Sequence, residues 1–280
     1  MKTILVPTDF SDAATNAAEY AAHLAKDMNA NIILFHTYHF PTPVSEVPVM
    51  VISPDELQEE NETLLKEYAA RLEKKTGVRA DYRAKIGLAA DEIIQEGVAA
   101  DLIVMGMRGA GKLSEALIGS IATSVLRKSQ VPVLVIPERA SYTRPEKIVF
   151  ACDYDPRTNM HKLIVLKELL KTFKAKLYVL NVKKQKETVS VEEAVAGVKL
   201  ENELYDVEHV YYFPESDDLV SGINEFVNSH KADMVVTIPH VYTFFDRLFH
   251  KSISKKMAFN IHVPLLALPD THKSASAYFL

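Results

Sequence analysis

The chain has 280 residues, 48% of them hydrophobic and 25% charged, with a formal net charge of −5 at neutral pH. That length suits about two globular domains, each able to bury its own core. The mild acidity excludes a whole-chain attraction to nucleic acid or to an anionic membrane. A lone cysteine, Cys152, rules out an intrachain disulfide and suits a reducing compartment. Apolar runs fall far short of the ~20 residues that span a bilayer. The short opening run is followed closely by Asp9 and Asp12, unlike a secretory signal, so the expected location is cytoplasmic and no membrane partner is expected.

Thr3-Ile4-Leu5-Val6-Pro7 reads as a buried strand, and residues 12–28 read as a helix with small apolar residues on one face and Ser11 as its N-cap. Asn31-Ile32-Ile33-Leu34-Phe35 is the next strand. Ser53-Pro54-Asp55-Glu56 predicts a capping box with proline in the first turn, and Gly77 marks that helix's end. A strand over residues 81–86 and a helix over 89–98 follow. Leu102-Ile103-Val104-Met105 and Val133-Leu134-Val135-Ile136 then flank a helix over 120–128. Continuous β-branched runs separated by helices predict a parallel sheet covered on both faces.

The pattern then restarts. Beyond the polar stretch Ser141-Tyr142-Thr143-Arg144-Pro145, Ile148-Val149-Phe150-Ala151-Cys152-Asp153 repeats Ile4-Leu5-Val6-Pro7-Thr8-Asp9. Residues 101–137 align with 233–269 without a gap, keeping Asp101/Asp233, Ser120/Ser252, Pro132/Pro264 and Pro137/Pro269 among the identities. The implied organisation is two domains, 1–140 and 145–271, with a loosely held tail over 272–280. Edge strands near Val133 and Leu265 are placed to pair with each other.

The chemistry concentrates at the end of the fourth strand. Gly106-Met107-Arg108-Gly109 is followed after nine residues by Gly119-Ser120, which opens a helix. Glycines allow close backbone approach and positive φ, turn amides converge on an anion, and a helix N-terminus adds unpaired N–H groups. Ser120 can donate to a phosphate oxygen, while Arg108 and Lys112 add charge. In an open parallel sheet the ligand crevice lies where strand order reverses, which places Asp9 and the glycine loop on either side of it.

Here the chain resembles the universal stress protein family. The residues that carry the resemblance are Ile4-Leu5-Val6-Pro7-Thr8-Asp9-Phe10-Ser11, Leu34-Phe35-His36, Gly106-x2-Gly109-x9-Gly119-Ser120 and Val131-Pro132-Val133-Leu134-Val135-Ile136-Pro137. The resemblance implies an α/β fold of two tandem Rossmann-like domains, each an open five-stranded parallel sheet of order 3-2-1-4-5 with helices on both faces. It implies ATP or a related adenine nucleotide, with or without magnesium, its phosphates on Gly106, Gly109, Gly119 and Ser120. Asp9 lies beside the ribose or reaches the phosphates through a metal. Adenine lies near Pro7, Thr8 and the segment Phe35, His36 and Thr37. Met105 and Ile121 line the pocket, and Arg108 stands in the loop.

The second half departs from this pattern: Ile238, Val241 and Lys251 replace the three glycines, and Pro239 removes a donor. It is expected to bind no ATP in that manner and to serve as an internal dimer partner; a homodimer of the whole chain is a further option. Lys251, Lys255 and Lys256 read as a solvated helix face. Gly106, Gly111 and Lys112 come near a Walker A loop, but Leu113 stands where its magnesium-holding hydroxyl belongs. His36 and His39 lack a third ligand at metal spacing, and Cys152 reads as a buried thiol. Phe244, Phe245 and Phe249 read as interface packing, and no catalytic constellation is present. Three functions stand: a nucleotide-binding regulator of the stress response, a weak ATPase or nucleotide-using enzyme, and a ligand-free scaffold.

Overall fold

The computed structural model describes residues 1–39, 53–109, 118–154, 163–183, 190–238 and 262–269. Outside these lie Lys112 and Leu113, Pro239, Val241, the aromatics 244, 245 and 249, the basic residues 251, 255 and 256, and the tail.

The first half runs β1 (Thr3–Pro7), α1 (Asp12–Met28), β2 (Asn31–Tyr38), α2 (Pro54–Thr76), β3 (Ala80–Ile86), α3 (Ala89–Gly97), β4 (Leu102–Gly106), α4 (Ser120–Lys128) and β5 (Val133–Ile136). Local chemistry sets the boundaries. Ser11 Oγ accepts from the Ala14 amide at the start of α1, and Ser53 with Glu56 forms a complete capping box on α2. Gly77, at φ 72°, ends α2 in the left-handed conformation that glycine adopts without a Cβ clash. Strand β2 extends beyond the predicted Phe35 to Tyr38, because β3 pairs with it in register through Tyr38↔Ile86.

The second half runs β6 (Lys147–Ala151), α5 (Ile164–Phe173), β7 (Lys176–Leu180), α6 (Val191–Leu204), β8 (His209–Tyr212), α7 (Leu219–His230), β9 (Met234–Thr237) and β10 (Leu265–Ala267). All the strands join one ten-stranded sheet of order β3-β2-β1-β4-β5-β10-β9-β6-β7-β8. Read inward from either edge, each half has the order 3-2-1-4-5, so the two expected five-stranded sheets are continuous with each other. The seam is the pair β5–β10, antiparallel in a sheet that is otherwise parallel, with Leu134 opposite Leu266.

The halves match in register as well as in order. Ile103↔Val133 and Val104↔Leu134 in the first half correspond to Val235↔Leu265 and Val236↔Leu266 in the second. The identical aspartates also do the same work. Asp101 Oδ2 accepts the Lys2 and Thr3 amides at 2.6 and 2.9 Å, and Asp233 Oδ2 accepts the Glu146 and Lys147 amides, both at 2.9 Å. Each carboxylate thereby satisfies amides where an inner strand begins. Burial opposes the charge on Asp101, but the two backbone donors outweigh it and hold its pKa below the ordinary carboxylate range.

Two cores sandwich the sheet, and each runs through both halves. One contains Ile4, Val6, Leu24, Leu65, Leu134, Leu266, Phe150, Leu166 and Leu200, between the sheet and α1, α2, α5 and α6. The other contains Leu5, Phe35, Ile93, Ile103, Val125, Val135, Leu265, Val149 and Ile223, under α3, α4 and α7. Alternation along each strand divides side chains between the faces.

The connecting segment after β5 is tied back onto α1. Asn16 Nδ2 donates to the Pro137 and Ala140 carbonyls at 3.1 and 3.0 Å. Asp27 accepts from Tyr142 Oη at 2.6 Å and from Arg144 Nε and Nη2 at 2.9 and 2.6 Å. Tyr142 also packs edge-on against Tyr20 and stacks on His23.

Two outcomes are expected. Leu266→Ala removes a fully buried seam contact and should cost about 2–5 kcal/mol in urea-induced unfolding. The Arg144 guanidinium holds Asp27 below its ordinary pKa. A depressed carboxylate contributes stability above its unfolded pKa of about 4, and that contribution is lost as pH falls through the lower folded value. The stability gap between wild type and Arg144→Ala, measured from pH 6 down to pH 2, should therefore persist above pH ~4 and narrow below it.

Candidate functional site

Strand order reverses between β1 and β4, the neighbours whose crossovers leave in opposite directions. At their carboxyl ends lies a cavity of ≈ 340 Å³. One wall is main chain: Gly106 at the end of β4, Arg108 and Gly109 just beyond it, and Gly119 and Ser120 where α4 begins. Gly119 is the N-cap of α4 and supplies no side-chain bond, so no capping side chain competes for the first-turn amides. Those amides and the positive end of the helix dipole face the cavity.

The glycines act by size and not by conformation. Gly106, Gly109 and Gly119 do not use the positive φ that glycine permits; among described glycines only Gly77 and Gly87 have it. A Cβ on Gly106 would lie 2.9 Å from the Ala13 carbonyl oxygen, so its bareness is already required by the packing of α1. A Cβ on Gly109 would lie 2.5 Å from Asp9 Oδ2 and touch no backbone, whereas at Gly119 the nearest atom, Arg108 Cα, is 3.4 Å away.

Opposite this wall is the turn after β1. Thr8 is buried; its amide donates to the Phe35 carbonyl at 2.8 Å, and its hydroxyl accepts from the Phe10 amide at 3.0 Å. Phe10 is left-handed at φ 62°. Asp9 Oδ1 accepts from the Ser11 amide at 3.1 Å and from the Ser11 hydroxyl at 2.5 Å. Asp9 is therefore both a turn residue and a carboxylate placed against Gly109, and the two roles coexist.

The remaining wall is an apolar slot with a polar end. Pro7, Phe35, Met105 and Ile121 line it as expected, together with Thr37. His36 does not line it. Side chains alternate along β2, so Phe35, Thr37 and His39 face the cavity while His36 faces the other side. There His36 packs on Phe10, centroids 4.6 Å apart, and its Nδ1 lies 2.7 Å from the Thr8 carbonyl. His39, just past the end of β2 and exposed, also lines the cavity. Ala14, Ala89, Ile93 and Ala122 line it too. Ala89 and Ile93 are four apart on α3, a signal present in the sequence but legible only once α3 is known to cover this face.

In the second half the residues at the equivalent described positions differ. Val182 stands where Thr37 stands and Leu219 where Ala89 stands, each opening the equivalent position of β7's extension and α7. A Cβ on Gly222 would lie 2.8 Å from Val182 Cγ1, so α7 packs directly on that side chain. Asn181 takes the position of His36, its Nδ2 donating to the Cys152 carbonyl at 2.9 Å. The Cys152 thiol is pushed up to about 12, chiefly by burial, and is unreactive at neutral pH. Ile238, in place of Gly106, is buried.

Among described residues no three His, Cys, Asp or Glu side chains are grouped as metal ligands, and no helix is long and apolar enough to cross a membrane. An open α/β sheet with a cavity at the switch point of its strand order is of the doubly wound class. Comparison with known proteins names the family. The family model described as the universal stress protein family matches residues 1–137. A universal stress protein of Methanocaldococcus jannaschii is 32% identical over 140 residues, 48% of this chain and 81% of that protein. A universal stress protein of Bacillus subtilis is 32% identical over 144 residues, 48% of this chain and 97% of that protein. The crystal structure of a universal stress protein from Archaeoglobus fulgidus shares the fold across 95% of this chain and 98% of its own, with a TM-score of 0.71 at 21% identity. The chain belongs to the universal stress protein family.

Gly106→Ala should lower stability by about 1–3 kcal/mol, since a backbone carbonyl must move. Gly119→Ala should cost less than about 1 kcal/mol, the difference between the two residues at an N-cap. Thermal unfolding of the two variants side by side checks this ordering.

Proposed function

We propose that this protein is a nucleotide-binding regulator of the stress response, with one adenine nucleotide, ATP in the first instance, held by its N-terminal half. The observation that carries the reading is the meeting of three bare backbone positions and an uncapped helix N-terminus on one wall of a cavity whose other end is an apolar slot. Phosphates suit the first and a flat heteroaromatic base suits the second. In this reading the phosphates lie on Gly109, Gly119 and Ser120, with Arg108 adding charge. The base enters between Pro7, Phe35, Met105 and Ile93, with Thr37 and His39 at its edge.

Magnesium fits only as a companion of the phosphates. The chain's own donor toward it is the Asp9 carboxylate, which otherwise meets the ribose. Residues 1–140 and 145–271 form two domains derived by duplication, and the second is an internal partner whose crevice its own side chains fill. The protein acts in the cytoplasm and either as a monomer with this built-in pairing or as a homodimer. Binding rather than turnover is the output in this reading, since the sequence carries no motif that pairs a base with an attacking water.

One observation favours the ligand-free scaffold: the need for glycine at 106 is met by α1 packing alone. Gly109 separates the two readings, since its Cβ would meet only the movable Asp9 side chain. Calorimetry with ATP and magnesium should give saturable one-site binding to wild type. Gly109→Val should abolish that binding while leaving circular dichroism and the unfolding midpoint close to wild type. Unchanged affinity in the variant rejects the cradle, and no binding to wild type leaves the scaffold.

A further inference from the structure

Two ion pairs of unequal quality, among the contacts of the described residues, tie the segment joining the halves to the first half. At its far end Arg144 grips Asp27 through two nitrogens, at 2.9 and 2.6 Å. At its near end Glu138, which follows β5 and Pro137, meets Arg108 by a single contact, Nη1 to Oε2 at 3.6 Å. That separation is beyond hydrogen-bond range, so the pair contributes only a Coulomb attraction. The Glu138 side chain is 54% exposed, which screens the attraction further.

Arg108 has a different standing. Its side chain is only 13% exposed and it lines the cavity beside Gly109 and Gly119. An anion in the cradle would offer its guanidinium several oxygens and more than one negative charge, in the planar geometry that guanidinium matches best. In competition for Arg108, a phosphate therefore prevails over a half-exposed carboxylate at 3.6 Å. The turn is also tied by two neutral bonds from Asn16 and by the bond from the Ala140 amide to the Pro137 carbonyl at 3.0 Å.

We propose that Arg108 and Glu138 form a latch between the nucleotide cavity and the segment joining the halves, and that bound phosphate opens it. The proposal rests on the nucleotide reading above. With the cavity empty, Arg108 attracts Glu138 and the turn at 138–141 is drawn against the loop. With phosphate present, Arg108 turns to the ligand, Glu138 is released to solvent, and the turn loosens while Tyr142 and Arg144 keep their hold on Asp27. Occupancy of the first half is thereby felt at the junction with the second. Glu138 acts through Arg108 and is a positioning residue that opposes binding.

Glu138→Gln in the full chain removes the competitor without changing side-chain size. Calorimetry should show ATP binding about two- to fivefold tighter than wild type, the worth of a half-exposed ion pair. Adenosine, lacking phosphate, should bind both proteins equally. Glu192→Gln, on α6 and remote from the cavity, controls for net charge and should leave ATP affinity unchanged. Hydrogen exchange over residues 138–141 should rise when ATP binds wild type, and in Glu138→Gln it should be high already and indifferent to ATP. Binding of ATP to wild type with neither the affinity gain nor the exchange change overturns the latch and spares the nucleotide reading. Failure of ATP to bind either protein overturns both.

Discussion

A strand buried on both faces can place its backbone hydrogen bonds only on neighbouring strands, and this constraint organises the molecule. It explains why β1, β4, β6 and β9 are continuous apolar runs with almost no exposed atoms. It explains the aspartates at 101 and 233, which satisfy amides where inner strands begin. It also accounts for the seam. Strand β5 would be an open apolar edge, and β10 presents the same problem; pairing them antiparallel resolves both and lets two cores run through the whole molecule. The edges left exposed, β3 and β8, are ones the sequence can tolerate: β3 carries charged residues held by α3, with Arg83 on Glu96 and Lys85 on Glu92, and β8 is short.

The same sheet produces two carboxyl-edge crevices, and small exchanges of volume separate them. In the first, Ala89 and Thr37 leave a slot and three glycines leave main chain bare. In the second, Leu219 and Val182 occupy the slot and Ile238 replaces the leading glycine. The compensation is local. In the first half Gly87 makes room for the Glu92 side chain, while in the second Gly222 makes room for Val182 and Ser216. The small residue has changed sides of the contact, so each helix still reaches the sheet.

Several features were legible from the residues alone because their causes are local. The capping box at Ser53 and Glu56, the stop at Gly77 and the cap at Ser11 depend on neighbours within a few positions. Alternating strands and helices gave the parallel sheet, while its strand order was what the family resemblance implied. Placement of His36 did not follow, because facing depends on strand register and the second strand's reach to Tyr38 is set by β3. Close backbone approach at the glycines was expected, but the neighbours that their bareness answers are distant in sequence, Ala13 for Gly106 and Asp9 for Gly109.

The sequence by itself determined the α/β class, the repeat, the family resemblance and the glycine loop, since these rest on periodicity, spacing and residue size. Only the tertiary structure decided the antiparallel register of β5 on β10, with Leu134 opposite Leu266, that α3 floors the cavity with Ala89 and Ile93, and that Glu138 meets Arg108. The physical reason is common to all three. Each is a contact between segments far apart in the chain, made when packing closes a surface, and no local propensity encodes which surface that will be.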